Sequence, residues 1–175
     1  MYEINKAAVI GAGTMGLGIA GQLANAGVDV LLLDLPTDGE NRNAVCERAL
    51  ERVLDENSPG LLHKTLLGRI SIGNTEDDFD KLADVDWIAE AVVERLDVKK
   101  ALYKRIDAVR KSGSIVSSNT STIPISLLVE DMPDEFRSEF AITHFFNPVR
   151  YMRLLELVRG DSTKQAVIDC LDRFN

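Results

Sequence analysis

The sequence predicts an α/β fold built on a doubly wound, mainly parallel sheet. Strand-like and helix-like segments alternate almost throughout the chain. This alternation is typical of a parallel sheet covered by helices on both faces. The aliphatic run of residues 28–34 is nearly continuous, which indicates a strand buried on both faces. A glycine-rich turn at residues 11–16 joins the first predicted strand to the first predicted helix.

Each element follows from its local pattern. Predicted strands cover residues 6–10, 28–34, 68–74, 85–93, 114–119, 139–146 and 151–158. Predicted helices cover residues 14–26, 40–57, 97–113 and 161–175. In the second of these helices the apolar residues share one face, as helical spacing requires; they are Val45, Ala49, Leu50, Val53 and Leu54. Residues 36–43 are rich in Pro, Gly, Asp and Asn and predict a loop.

Composition narrows the class of protein. A chain of 175 residues that is 45% hydrophobic predicts one domain with a sizeable core. The net charge of -8, without a Lys/Arg stripe, argues against nucleic acid or an anionic membrane surface as a partner. No apolar run reaches the roughly 18 residues of a membrane span. Cys46 and Cys170 lack the spacing of a disulfide framework or a zinc site, so we expect no metal and a reducing, cytoplasmic location.

The glycine-rich turn has the spacing of a dinucleotide phosphate-binding loop. Gly11 would permit the tight turn, Gly13 would let the backbone approach a pyrophosphate, and Gly16 would allow helix and strand to pack closely. A diphosphate would rest on the helix N-terminus, so Thr14 and Met15 are also candidate cofactor-binding residues. Two alternatives are glycines that serve only helix packing and a signal peptide, although five glycines suit the latter poorly.

Asp34 closes the second predicted strand, 23 positions after Gly11. A carboxylate about 20 residues beyond the glycines commonly binds the 2′-hydroxyl of the adenosine ribose. The same carboxylate would repel the 2′-phosphate of NADP, and no arginine follows it before Arg42. The predicted cofactor is therefore NAD.

With these residues in view, the chain resembles the NAD-binding domain of the L-3-hydroxyacyl-CoA dehydrogenase family over essentially its whole length. The resemblance rests on GAGTMG from Gly11, EAVVERLDVKKALYKRID from Glu90, SIVSSNTS ending at Ser121, and HFFNPVRYMRLLEL from His144. These segments are most similar to those of the long fused members that also carry an enoyl-CoA hydratase part. The resemblance implies a Rossmann-like fold and NAD-dependent oxidation of L-3-hydroxyacyl-CoA to 3-ketoacyl-CoA in fatty-acid β-oxidation.

The resemblance also implies a catalytic group. His144 matches the base that takes the proton of the 3-hydroxyl, a task that suits an imidazole because it exchanges protons near neutral pH. Glu156 matches the carboxylate that orients this imidazole and stabilises its charged form. Ser121 matches the hydroxyl that holds the substrate oxygen beside the histidine, and Asn147 matches a residue near the nicotinamide amide. We expect His144 and Glu156 to lie on adjacent strands.

Two further matches lie near the start of a predicted helix, where Glu94 and Lys99 correspond to positions that contact the nicotinamide half of the cofactor. Each assignment has a structural alternative. His144 could be an ordinary core histidine, Glu94 and Lys99 could be solvated charges, and the Ser121 loop could only cap the following helix. We interpret His63 as structural and Trp87 as a core residue.

The chain departs from the family in two respects. The segment expected to receive the coenzyme A tail carries acids as well as bases; these are Glu51, Arg52, Asp55, Glu56 and Lys64. The family also adds an all-helical second domain, with a substrate-contacting Asn and a dimer interface, whereas this chain stops at Asn175. We therefore expect residues 1–175 to be the NAD-binding part of a homodimeric protein, with weak NAD binding and little turnover by itself.

Two other functions stay open on the same scaffold. One is a non-catalytic dinucleotide-binding or structural protein, because the family resemblance extends to a lens crystallin. The other is a dehydrogenase of a small hydroxy acid or of gulonate. The presence of Ser121, His144 and Glu156 together favours the acyl-CoA enzyme.

Overall fold

The computed structural model describes residues 2–54 and 60–174 and confirms the doubly wound α/β fold. One sheet of seven strands has the order β3-β2-β1-β4-β5-β6-β7 in the described residues. The strands are β1 (Lys6–Ile10), β2 (Asp29–Asp34), β3 (Ile70–Asn74), β4 (Trp87–Glu90), β5 (Ile115–Ser118), β6 (Phe140–Phe145) and β7 (Leu155–Arg159). All neighbouring pairs are parallel except β6 and β7.

Helices cover the sheet and connect its strands. They are α1 (Thr14–Asn25), α2 (Ala44–Val53), α3 (Leu96–Val109), α4 (Ile125–Leu128), α5 (Asp134–Ser138) and α6 (Gln165–Phe174). Short 3-10 helices span Lys64–Arg69 and Phe79–Asp84. Within the described ranges, no helix combines the length and the apolarity that a membrane crossing requires.

Some predicted helices and strands were longer than those in the structure. Helix α2 begins at Ala44 rather than residue 40, because the chain before it closes a turn in which the Thr37 N–H donates to the Arg42 carbonyl. Its predicted end, residues 55–57, lies outside the described residues. Strand β7 begins only at Leu155, since the Tyr151 and Met152 N–H groups both bond to the Pro148 carbonyl in a turn.

The core consists of two layers, one on each face of the sheet. Along β2, Val30 and Leu32 belong to one layer, while Leu31 and Leu33 belong to the other. Burial on both faces explains why this strand is continuously aliphatic. Trp87 is fully buried, which confirms that it is a core residue.

The indole of Trp87 depends on a buried hydrogen-bond chain. Its Nε1–H donates to Ser117 Oγ at 2.8 Å, and Ser117 Oγ lies 2.8 Å from Thr143 Oγ1. This chain links β4, β5 and β6 through their side chains.

We expect Ser117→Ala to lower the free energy of unfolding by about 1–3 kcal/mol, because it leaves the buried indole N–H without its acceptor. Chemical denaturation of the parent and the variant would measure the difference. A double substitution, Ser117→Ala with Trp87→Phe, removes donor and acceptor together. If the single substitution alone is harmless, the indole hydrogen bond does not stabilise the fold.

Candidate functional site

The glycine loop between β1 and α1 is tightly enclosed at two of its three glycines. Gly11 has a φ of +106°, and a Cβ there would lie 2.5 Å from the Ala91 carbonyl oxygen. A Cβ on Gly16 would lie 1.7 Å from the Gly11 carbonyl oxygen. Both positions therefore exclude a side chain, as the predicted turn and close helix packing require.

Gly13 differs, because a Cβ there would meet no atom within 4 Å. It is the N-cap of α1, and no side chain caps this end of the helix. Gly13 and Thr14 are exposed and Met15 is half-buried. The N–H groups of the first helical turn therefore face an open surface, which suits the binding of an anion such as a diphosphate.

Asp34 lies beside this loop at the carboxyl end of β2. Its Oδ2 accepts from the Ala12 N–H at 2.6 Å, and its Oδ1 accepts from the Leu35 N–H at 2.7 Å. Arg42, the first arginine after Asp34, forms an ion pair with Asp77 at 2.7 Å. A carboxylate is thus fixed where the ribose of a dinucleotide would lie, with the nearest following guanidinium paired elsewhere.

Arg52 also reaches the glycine loop, a contact that the sequence pattern does not predict. Its Nη2 donates to the Ala12 carbonyl at 3.1 Å, so this base supports the loop and is not simply a free surface charge for a coenzyme A tail. Glu51 and Lys64 are exposed, whereas Asp55 and Glu56 lie outside the described residues.

A cavity of about 550 Å³ opens between the carboxyl ends of β1 and β4. The strand order reverses between these two strands, and ligands of doubly wound sheets bind at such a reversal. The wall is mostly apolar, apart from Asp34 and a few other polar side chains; it includes Gly11, Ala91, Val92, Val98, Ala101 and Leu102. An apolar cleft beside the candidate ribose-binding carboxylate of Asp34 fits the adenine half of a dinucleotide.

His144 and Glu156 are direct cross-strand neighbours on β6 and β7. His144 Nδ1 lies 2.8 Å from Glu156 Oε2, so the predicted pairing of the two side chains is present. The His144 side chain is 19% exposed, which leaves it accessible to a ligand. Because the carboxylate accepts from Nδ1, the imidazole has Nε2 as the nitrogen able to accept another proton.

Ser121 and Asn147 follow the carboxyl ends of two adjacent parallel strands, β5 and β6, and both are exposed. The loop after β5 is tied to β6 because Asn119 Oδ1 accepts from the Phe145 N–H at 2.9 Å. Phe145 is the residue after His144. The serine loop, the asparagine and the histidine therefore belong to one edge of the sheet, the edge that also carries the glycine loop.

Lys99 and Glu94 are brought together below this edge. Lys99 Nζ lies 3.3 Å from Glu94 Oε2, and the lysine side chain is only 1% exposed. The alternative of a solvated charge is therefore wrong for Lys99. Glu94 is 41% exposed, and its Oε1 accepts from the hydroxyls of Thr120 and Thr122. Burial opposes the charged carboxylate, but the Thr120 hydroxyl and the Lys99 ammonium outweigh it and lower the pKa of Glu94.

Glu90 was not singled out from the sequence, although it is completely buried at the end of β4. It accepts from Lys99, Tyr103, Ser118 and the Val92 N–H at 2.6, 2.6, 2.7 and 2.8 Å. Burial and the adjacent Glu90 charge raise the pKa of Tyr103 well above its ordinary value, so the phenol stays a neutral donor. The sequence does contain a signal for Glu90, because a carboxylate at the end of the otherwise apolar strand β4 is unusual.

The other candidate groups have structural roles. His63 caps the first 3-10 helix, where its Nδ1 accepts from the Thr65 N–H at 3.3 Å, and this agrees with the structural interpretation. Burial, together with the Asp34 charge, raises the pKa of the Cys46 thiol to about 11, so it is no thiolate nucleophile near neutral pH. Across residues 2–54 and 60–174, no group of three or more His, Cys, Asp or Glu residues could hold a metal ion.

Comparison with known proteins gives a consistent result. A family model described as "3-hydroxyacyl-CoA dehydrogenase, NAD binding domain" matches residues 6–174. A Deinococcus radiodurans protein named "Probable 3-hydroxyacyl-CoA dehydrogenase" is 44% identical over 173 residues, which are 98% of this chain and 50% of that protein. A "Fatty acid oxidation complex subunit alpha" of Psychrobacter arcticus is 37% identical over 95% of this chain and 23% of its own length.

Solved structures agree with these relatives. The crystal structure of 3-hydroxybutyryl-CoA dehydrogenase from Escherichia coli superposes with a TM-score of 0.81 at 33% identity. It matches 97% of this chain and 35% of the E. coli chain. The chain therefore spans about half the length of the Deinococcus relative and a smaller part of the others.

Proposed function

Because the chain belongs to the 3-hydroxyacyl-CoA dehydrogenase family, as its NAD-binding domain, we propose that the protein oxidises L-3-hydroxyacyl-CoA to 3-ketoacyl-CoA with NAD in fatty-acid β-oxidation. The observation that carries this proposal is the His144–Glu156 pair at 2.8 Å, on the sheet edge that also bears the glycine loop. A dinucleotide fold without that pair would support cofactor binding alone.

The proton chemistry is assigned to His144 and its neighbours. His144 Nε2 accepts the proton of the 3-hydroxyl, while bound NAD supplies the acceptor for the hydride that leaves C3. Glu156 holds the imidazole through Nδ1 and stabilises the imidazolium that results. Ser121 would hold the substrate oxygen beside the histidine, and Asn147 would lie near the amide of a bound nicotinamide. In the reverse direction His144 returns the proton to the 3-keto oxygen.

The adenosine half of NAD would be held at the glycine loop. The open first turn of α1 suits the diphosphate, contacted at Gly11, Gly13, Thr14, Met15 and Gly16. Asp34 would bind the ribose hydroxyls and repel a 2′-phosphate, which favours NAD over NADP. Glu94 and Lys99 would belong to the nicotinamide half.

The remaining parts of the proposal concern the whole protein. Residues 1–175 would form the NAD-binding domain. A helical domain of the kind this family carries would complete the acyl-CoA cleft and the interface of a homodimer. The protein would act in the cytoplasm.

The test of the function is NADH consumption by the full-length protein with a 3-ketoacyl-CoA. We expect turnover with NADH, a much lower kcat/KM with NADPH, and a much lower kcat/KM with the free 3-keto acid. Comparable kcat/KM values for free and CoA-linked acids would favour a small hydroxy-acid dehydrogenase. Tight NADH binding without any turnover would favour a non-catalytic protein.

A further inference from the structure

Glu90 ends β4 directly below the proposed nicotinamide half of the site, and its carboxylate is saturated with donors. Lys99, Tyr103 and Ser118 donate to it from α3 and β5, and each distance is 2.6 or 2.7 Å. The Val92 N–H adds a fourth bond. An ionised carboxylate this deeply buried is costly unless it is paired and fully bonded.

The Lys99 side chain connects this buried carboxylate to an exposed one. Lys99 Nζ lies 2.6 Å from Glu90 and 3.3 Å from Glu94, which is the exposed member of the three. We call Glu90, Lys99 and Glu94 the charge triad. Two carboxylates and one ammonium give it one net negative charge, and Tyr103 adds none because its phenol is neutral. That charge reaches solvent at Glu94.

The triad also fixes the loop after β5. Glu90 pairs with Ser118 across the sheet and accepts from its hydroxyl, and the Asn119 N–H donates to the Glu90 carbonyl at 2.8 Å. Glu94 accepts from Thr120 and Thr122, on either side of Ser121. The position of the Ser121 loop therefore depends on Glu90 at one end and on Glu94 at the other.

The protein has a second buried carboxylate that separates structural from functional effects. Glu139 is 3% exposed and pairs with Arg110 at 2.6 Å, and it also accepts from Lys164. It lies at the amino end of β6, on the opposite edge of the sheet. The Glu139 pair therefore lies away from the ligand edge, whereas the Glu90 pair continues through Lys99 to the exposed carboxylate of Glu94 at that edge.

We propose that Glu90 is a positioning residue that, through Lys99, holds Glu94 in place and leaves the triad with a net negative charge that favours the cationic ring of NAD+ over the neutral ring of NADH. The inference rests on the proposed function, because it places the nicotinamide ring beside Glu94. Without Glu90, Lys99 pairs with Glu94 alone, and the net charge near the ring falls to zero.

The experiment measures the Kd values of NAD+ and NADH in the full-length protein, by titration, for Glu90→Gln and for Glu139→Gln as the matched control. Both variants lose one buried carboxylate, so both should melt at lower temperature. Only Glu90→Gln should shift the ratio of the two Kd values toward NADH, by about tenfold on Coulomb's law for a partly screened charge. An unchanged ratio in Glu90→Gln, or an equal shift in Glu139→Gln, would overturn the inference.

A double variant, Glu90→Gln with Lys99→Met, restores the single negative charge at Glu94 and removes the buried ion pair. We expect the parent's NAD+/NADH preference to return, while both Kd values rise because Glu94 is no longer held. If Glu90→Gln does not fold, the double variant still tests the positioning role. Kd values for NAD+ and NADH equal to those of the parent would then contradict that role. Absence of NADH consumption by the parent would count against the proposed function alone, because the binding ratios are measured without turnover.

Discussion

Replacing His144 by glutamine in the full-length protein is expected to lower kcat by at least about a thousandfold, the scale of a general base whose proton is also returned in the reverse reaction. The amide is close to the imidazole in size and can still bond to Glu156, which lies 2.8 Å away. It cannot accept the proton of the 3-hydroxyl. The loss should therefore appear in kcat, measured in both directions, with little change in NADH affinity.

His63 offers a matched control for this substitution, because it is the other histidine of the chain, is exposed and caps a 3-10 helix. His63→Gln should leave kcat within about twofold of the parent, since surface substitutions of this kind have small effects. Glu156→Gln should give an intermediate loss, because the base remains but its charged form is less stabilised. A His144→Gln rate within tenfold of the parent would refute the assigned role.

The His144–Glu156 pair also shows which parts of the site the sequence could predict. The family resemblance implied this pair, and the strand-like segments on either side of an Asn-Pro turn are compatible with it. The structure places them directly opposite each other in an antiparallel pair. The glycine loop and Asp34 could also be predicted from the sequence, because their spacing reflects the geometry of one strand–helix–strand unit.

Glu90 and Lys99 show what local pattern could not predict. The family resemblance implied that Lys99 contacts the cofactor, but local pattern left the alternative of a solvated charge open, because its neighbours along α3 include many charged residues. Its burial depends on Glu90 and Glu94, and the other side-chain donors to Glu90 come from α3 and β5. Such a cluster exists only once three elements have assembled, so periodicity in a single segment carries no signal for it. The first residues of α2 and β7 were predicted wrongly for a similar reason, since turn hydrogen bonds decide where these elements begin.

Gly13→Val should weaken NADH binding by at least about a hundredfold, or roughly 2.7 kcal/mol, while leaving the fold intact. A Cβ at Gly13 meets no protein atom within 4 Å, and the backbone there has an ordinary negative φ of -66°. The added side chain would therefore occupy the surface where the diphosphate approaches the first turn of α1. Titration with NADH and thermal melting of the same samples would separate binding from stability.

Two other glycines make the comparison specific. Gly68 also has open space around a Cβ, but it lies in the 3-10 helix before β3, so Gly68→Val should bind NADH like the parent. Gly16→Val should instead unfold the protein, because its Cβ would collide with the Gly11 carbonyl oxygen. If Gly13→Val binds NADH as tightly as Gly68→Val does, the diphosphate does not rest on α1. The cleft between β1 and β4 would then need a different ligand.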